Sequence, residues 1–183
     1  MTVPRLPAPL LSRGFAYLLD CTIAFAVFAV VQLFALLPLR ESIGITDAWF
    51  HSGWNTELYT LLTISLPVWM YFALFESWRG ATPGKRLSRI RVLDVWSGEG
   101  IGFGRALLRT LVKLLPWELA HLGNNLPEPM WYAEDPGLRV AFALSGLMLA
   151  VLIGSVLLSK SRRGLHDLAA RSLVVSSKEL HRS

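Results

Sequence analysis

Asp20 is the residue of this chain best placed to do chemistry. It is the one charge in the 24 residues that follow Arg13 in the run RGFAYLLDCTIAFAVFAVVQLFALL. An ionisable group inside a membrane span is a functional candidate by default. A carboxyl held there, near a cation, can trade its proton for a small cation. The plain alternative is a structural ion pair that orients helices, with Arg13 or a C-terminal arginine as partner. Arg13 lies two helical turns before Asp20, on nearly the same face. About 10 Å separates them along the axis, so they cannot pair directly. Each needs a partner from elsewhere in the chain, and guanidinium groups from distant segments are expected to answer the carboxylate.

Other patterns carry less. Gly80-Ala-Thr-Pro-Gly-Lys-Arg86 looks like a phosphate loop but lacks the four-residue glycine spacing and the Ser or Thr after the lysine. Its plain reading is a membrane-proximal turn shaped by Pro83 and Gly84. Glu118 and His121 have the spacing of a helical metal-ligand pair, yet no second Glu-x-x-His follows, so an interfacial Glu and His is the better reading. The few Ser and His positions support no Ser–His–Asp arrangement. No catalysis, metal or cofactor is expected. Cys21, the one cysteine, excludes a disulfide framework.

The chain has 183 residues, 53% hydrophobic and only 17% charged, against about 25% charged in soluble domains. That composition indicates an all-α membrane protein, a polytopic bundle of about four helices, one of them amphipathic or re-entrant. Helices are expected near 14–37, 58–78, 105–122 and 138–159. They form a single membrane domain over 13–175, between a loosely ordered tail at 1–12 and a tail at 176–183. In the first helix, thirteen Leu, Ile, Val and Phe residues supply about −4 to −8 kcal/mol, more than the roughly +2.5 to +3.5 kcal/mol of one Asp. The run is too long for the core of a cleaved signal and should remain as an anchor. It should end near Pro38, and Pro67 should kink the second helix. Arg105, Arg109 and Lys113 form a basic stripe on the third, opposite a leucine face. That helix would enter a membrane only with its charges shielded by other helices. Ser145, Gly146, Gly154 and Ser155 would permit close packing of the fourth. Between the second and third helices, Arg89-Ile-Arg-Val-Leu-Asp94 and the turn Ser97-Gly-Glu-Gly100 read as a small cytoplasmic β-hairpin, and Ser172-Leu-Val-Val-Ser-Ser as a strand that could join it in a sheet.

The net charge of +5 is concentrated in residues 79–103 and the C-terminal region. The positive-inside rule makes both cytoplasmic. An even number of crossings must then separate them, so 105–122 should cross as well, with both termini inside. The rival is three spans with 105–122 flat on the surface. The basic residues flank apolar spans and no nucleic-acid motif occurs, so nucleic acid is rejected as a partner.

Taken together, these pieces resemble the RDD family of small integral membrane proteins, named for an arginine and two aspartates. The match runs from about residue 9 to 175. It is carried by Arg13 with Asp20, by Thr82, Pro83, Gly84, Lys85 and Arg86 with Arg91 and Asp94, by Arg105 and Arg109, and by Arg163-Gly-Leu-His166-Asp167. One departure stands out. The family continues its last motif with Ala-Gly-Thr, where this chain has Ala170-Arg171-Ser172, and the added charge is expected to alter the surroundings of Asp167. The resemblance implies two competing roles in a prokaryotic plasma membrane. The first is exchange of a small monovalent cation for protons, centred on Asp20 and tuned by Arg13, Glu76, His166 and Asp167. The second is a non-transporting scaffold or accessory subunit in which Arg13, Asp20, Arg163 and Asp167 form a structural network, and the basic surface meets anionic lipid or a partner protein. The family tips the balance slightly toward exchange. A transporter this small, with no internal repeat, would have to work as an oligomer.

Overall fold

The computed structural model describes residues 6–135, 137 and 139–177. Among the described residues there are six α-helical segments, a single 3-10 turn at Asp47–His51 and two short strands. The helices and strands are α1 (Leu10–Ser42), α2 (Gly53–Arg79), α3 (Pro83–Leu87), β1 (Ile90–Asp94), α4 (Phe103–Asn125), α5 (Val140–Leu158), α6 (Leu165–Ala169) and β2 (Ser172–Ser176). Helices α1, α2 and α5 are long and apolar enough to cross a bilayer. The expected four long helices are all present, and the 23-residue α4 is the amphipathic one.

The expectation at Pro38 is overturned: the first helix does not end there. As expected of the second helix, α2 carries Pro67 in its interior. A π-helical turn, Gln32–Leu36 in α1 and Leu61–Ser65 in α2, lies two residues before each proline. Leu37 and Leu66 donate five residues back, to Gln32 and Leu61. Such a turn shifts the hydrogen-bond ladder where a proline would otherwise leave a carbonyl unpaired. Helix α4 also outruns its expected end at residue 122 and continues to Asn125.

Contacts divide the chain into two compact units, one made of Met1–Ile23, Trp69–Lys113 and Val151–Ser183, the other of Ala24–Val68 and Leu114–Ala150. In the first, β1 pairs antiparallel with β2, with Val92 opposite Val174. The small sheet expected between these two segments is present, and beyond Asp94 the chain adds only a turn, in which the Asp94 N–H donates to the Glu99 carbonyl at 2.8 Å. Asp94 Oδ1 accepts the N–H groups of Trp96 and Ser97, both at 2.7 Å, and closes the turn on itself. The glycine-rich stretch that follows is poor strand material and leads into α4. The sheet gains instead from the N-terminal segment: Ala8 donates to the Val174 carbonyl at 2.8 Å, and Pro7 bridges Val175. Residues 6–12 are therefore tied down, while the rest of the tail lies outside the described residues. Small aliphatic side chains, Ala8, Ala16, Ala73, Val92, Ala106 and Val174 among them, form a core tight enough to bring backbones close.

The second unit is held by polar ties. Tyr59 donates to Gln32 at 2.6 Å, and the Asn125 amide donates to Glu57 at 2.8 Å. The Ser145 hydroxyl donates to the Pro116 carbonyl at 2.7 Å. Arg139 Nη1 donates to the carbonyl of Gly123, in the last turn of α4, at 3.0 Å, in place of a donor the helix end lacks. Gly146 and Gly154 have open space where a side chain would begin, so they form no close packing within the chain.

Candidate functional site

The sequence brings the charges together in the first unit through one local device. Thr82 caps α3, Pro83 takes its first turn where a missing N–H costs nothing, and Gly84 follows. Gly84 has to be glycine. A Cβ there would lie 2.8 Å from Asp20 Oδ1 and would collide with the Ala16 carbonyl. The close approach lets the Gly84 N–H reach Asp20 Oδ1 at 2.8 Å, where the Tyr71 hydroxyl also donates at 2.8 Å. Thr82 Oγ1 donates to Asp20 Oδ2 at 2.5 Å. Asp20 is fully buried and answered by three donors, none of them a guanidinium. The expected arginine partner is thus replaced by the Thr-Pro-Gly motif and a tyrosine. A backbone N–H and two hydroxyls meet the carboxylate instead.

The guanidinium chemistry lies one step away. Arg109, 2% exposed, bridges two carboxylates. Its Nη1 is 2.7 Å from Glu76 Oε2, and its Nη2 is 2.7 Å from Asp167 Oδ1. Lys85, the next residue of the Thr-Pro-Gly-Lys motif, reaches Glu76 Oε1 at 2.6 Å. Arg13 pairs with Asp167 Oδ2 at 2.5 Å and also donates to the Arg162 carbonyl. Lys113 lies 3.6 Å from Glu76 and 3.4 Å from the centre of the Phe72 ring, and its ammonium has no hydrogen-bond partner. The basic stripe of α4 therefore turns inward, while Leu108, Leu111 and Leu115 on the other side are exposed. That is the shielding the hydropathy demanded.

The terminal motif supplies the second carboxylate. Gly164 caps α6 and donates to Asp167 Oδ2 at 3.2 Å. Burial works against an ionised Asp167, but Arg109 and then His166 and Arg13 outweigh it and hold the carboxyl well below its usual range. His166 Nε2 is 3.6 Å from Asp167. Burial first, then the positive Arg109, lowers the imidazole to about 3. His166 is therefore neutral at physiological pH, and its buried Nδ1 has no partner.

The remaining motif residues lie apart from this cluster. Arg105 pairs with Asp94 at 2.5 Å and donates to the carbonyls of Ala170 and Arg171, fastening β1 to the end of α6. Hydrogen bonds from the Ser97 N–H, with Arg105 behind them, hold the Asp94 carboxyl down at about 2 against a smaller burial effect. Arg163 donates to the Ser172 carbonyl at 3.0 Å and forms no ion pair among the described residues, so it is not a member of the network assigned to it. Arg91 donates to the Arg79 carbonyl, and Arg86 lines a separate cavity. Arg171 has a left-handed φ of 48°, which a glycine would meet without strain, and it is exposed. The added charge therefore points away from Asp167. Sequence reasoning missed Tyr71, which no spacing marked, and Lys113, whose place four residues after Arg109 was the available signal. Among the described residues no cluster of His, Cys, Asp and Glu could hold a metal ion.

Long apolar helices around a buried ionic cluster define a polytopic α-helical membrane protein. More particularly, the chain belongs to the RDD family, whose model matches residues 7–171. No curated protein and no solved structure matches it significantly.

Proposed function

We propose that this protein is a membrane scaffold or accessory subunit whose buried charges hold its helices in one arrangement. The observation that carries the reading is the saturation of Asp20, Glu76 and Asp167, each fully buried and each accepting at least three hydrogen bonds. A carboxylate held this way has little left to offer a passing cation. Breaking one partner from such a set costs about 3–5 kcal/mol, because a charge is left buried and unpaired. The inward basic stripe of α4 supports four crossings with both termini cytoplasmic, the topology that the positive-inside rule favours. A prokaryotic plasma membrane and a partner membrane protein belong to the same reading.

One observation favours the alternative, proton-coupled exchange of a small monovalent cation. Lys113 is a buried ammonium with no hydrogen bond, next to Glu76 and over an aromatic ring. A group held so loosely could pass a proton. The discriminating experiment uses wild-type protein in vesicles loaded with a pH-sensitive dye and pulsed with sodium, lithium and potassium. No dye response from mildly acid to mildly alkaline pH is expected. A response that Asp20→Asn abolishes, while the inserted amount stays the same, overturns the scaffold reading. On that reading Asp20→Asn instead lowers the amount of inserted protein.

A further inference from the structure

We infer that a four-arginine cavity at the end of α2 binds the phosphate of an anionic lipid headgroup. The cavity has a volume of about 430 Å³ and is lined by Trp78, Arg79, Arg86, Arg89, Arg91 and Ser177. The arginines come from four places: the end of α2, α3, the link before β1, and β1 itself. None forms an ion pair among the described residues. Arg91 spends one N–H on the Arg79 carbonyl at 3.1 Å, and Arg79 lies over the Trp78 ring at 4.6 Å. Four arginines line one space that has no acidic residue in its lining. Their planar forks match phosphate oxygens two at a time.

Arg89 adds a second observation. Its φ is 54°, a conformation that costs an L residue free energy and a glycine almost none. The chain carries an arginine there, and its side chain lines the cavity. Strained backbone of this kind collects at functional sites.

The position selects a lipid as the source of the phosphate. Trp78 and Arg79 close an apolar helix long enough to span a bilayer, and Trp78 is 78% exposed. Tryptophan at a span end sits at headgroup depth, and basic pockets on the cytoplasmic side take anionic headgroups. The volume falls within the range of small-ligand sites. This inference rests on the proposed cytoplasmic placement of that helix end. It uses none of the buried cluster, so a positive flux result would leave it standing.

The test is native mass spectrometry of the full chain in neutral detergent. It is titrated separately with phosphatidylglycerol, with phosphatidylcholine of the same acyl chains, and with inorganic phosphate. One phosphatidylglycerol should bind saturably, at concentrations where phosphatidylcholine does not. Arg89→Gly, which keeps the left-handed turn, should weaken that binding about five-fold, the worth of one basic residue at an anionic surface. Arg86→Gln, on the exposed side of α3, should give a similar loss with no change in backbone. Equal binding of the two lipids, or wild-type binding by both variants, overturns the proposal. Inorganic phosphate binding as tightly as phosphatidylglycerol overturns the lipid as source and makes the cavity a site for a soluble phosphate.

Discussion

His166 carries a proton-linked cost that its burial imposes and the cluster deepens. Burial first, then Arg109, with Lys113 and Arg13, outweighs Asp167 and lowers the imidazole from 6.5 to about 3. The unfolded chain therefore takes up this proton first. Stability is complete above pH 6.5 and declines as pH falls toward 3, by up to about 1.4 kcal/mol per pH unit. Melting in detergent micelles across that window should show the decline, and His166→Asn should flatten it. Asp94 and Asp167 add losses of the same sign only at more acid pH, because their carboxyls are held down. The sequence marked Asp20 through its isolation in an apolar run and Asp167 through its motif, and named Glu76 only as a group that would tune the exchange site. It could not show what met Asp20. A hydroxyl from a tyrosine and an N–H from a glycine leave no trace in charge patterning, whereas arginines do.

Helix α3 is only five residues long, yet it joins the two halves of the site. Its first turn clamps Asp20 through Thr82 and Gly84, and Lys85 then reaches Glu76. The motif that looked like a nucleotide loop is a carboxylate clamp. Gly84→Ala should be among the most damaging substitutions in the chain, costing about 2 kcal/mol or more, because the new methyl meets backbone and cannot move aside. Gly146→Ala, with open space around it, should melt like wild type in the same micelles. The long helices were legible because apolar length is a local property. Their ends were not. A π-helical turn ahead of Pro38 lets the first helix continue where proline alone argued for a stop. The partner of β1 was harder to read for a related reason: strand pairing depends on the distant Ser172–Ser176, and only the turn chemistry of Asp94 was local.

Across the chain, apolar surface and buried charge have exchanged their usual places. Large side chains such as Phe34, Val140 and Leu158 are exposed, while Asp20, Glu76, Arg109 and Asp167 are buried. That arrangement suits lipid outside and a polar interior. It also makes the ionic cluster the strongest set of specific contacts available, since apolar packing gains little when the solvent is itself apolar. The central claim is that Arg109 and its carboxylates act as one structural unit. The direct test is a double-mutant cycle of Arg109→Gln and Asp167→Asn, read from unfolding in detergent micelles. Each single change should cost about 3–5 kcal/mol, and the double change should cost less than their sum by about 2 kcal/mol. Near-wild-type stability of the single variants, or costs that simply add, would contradict it.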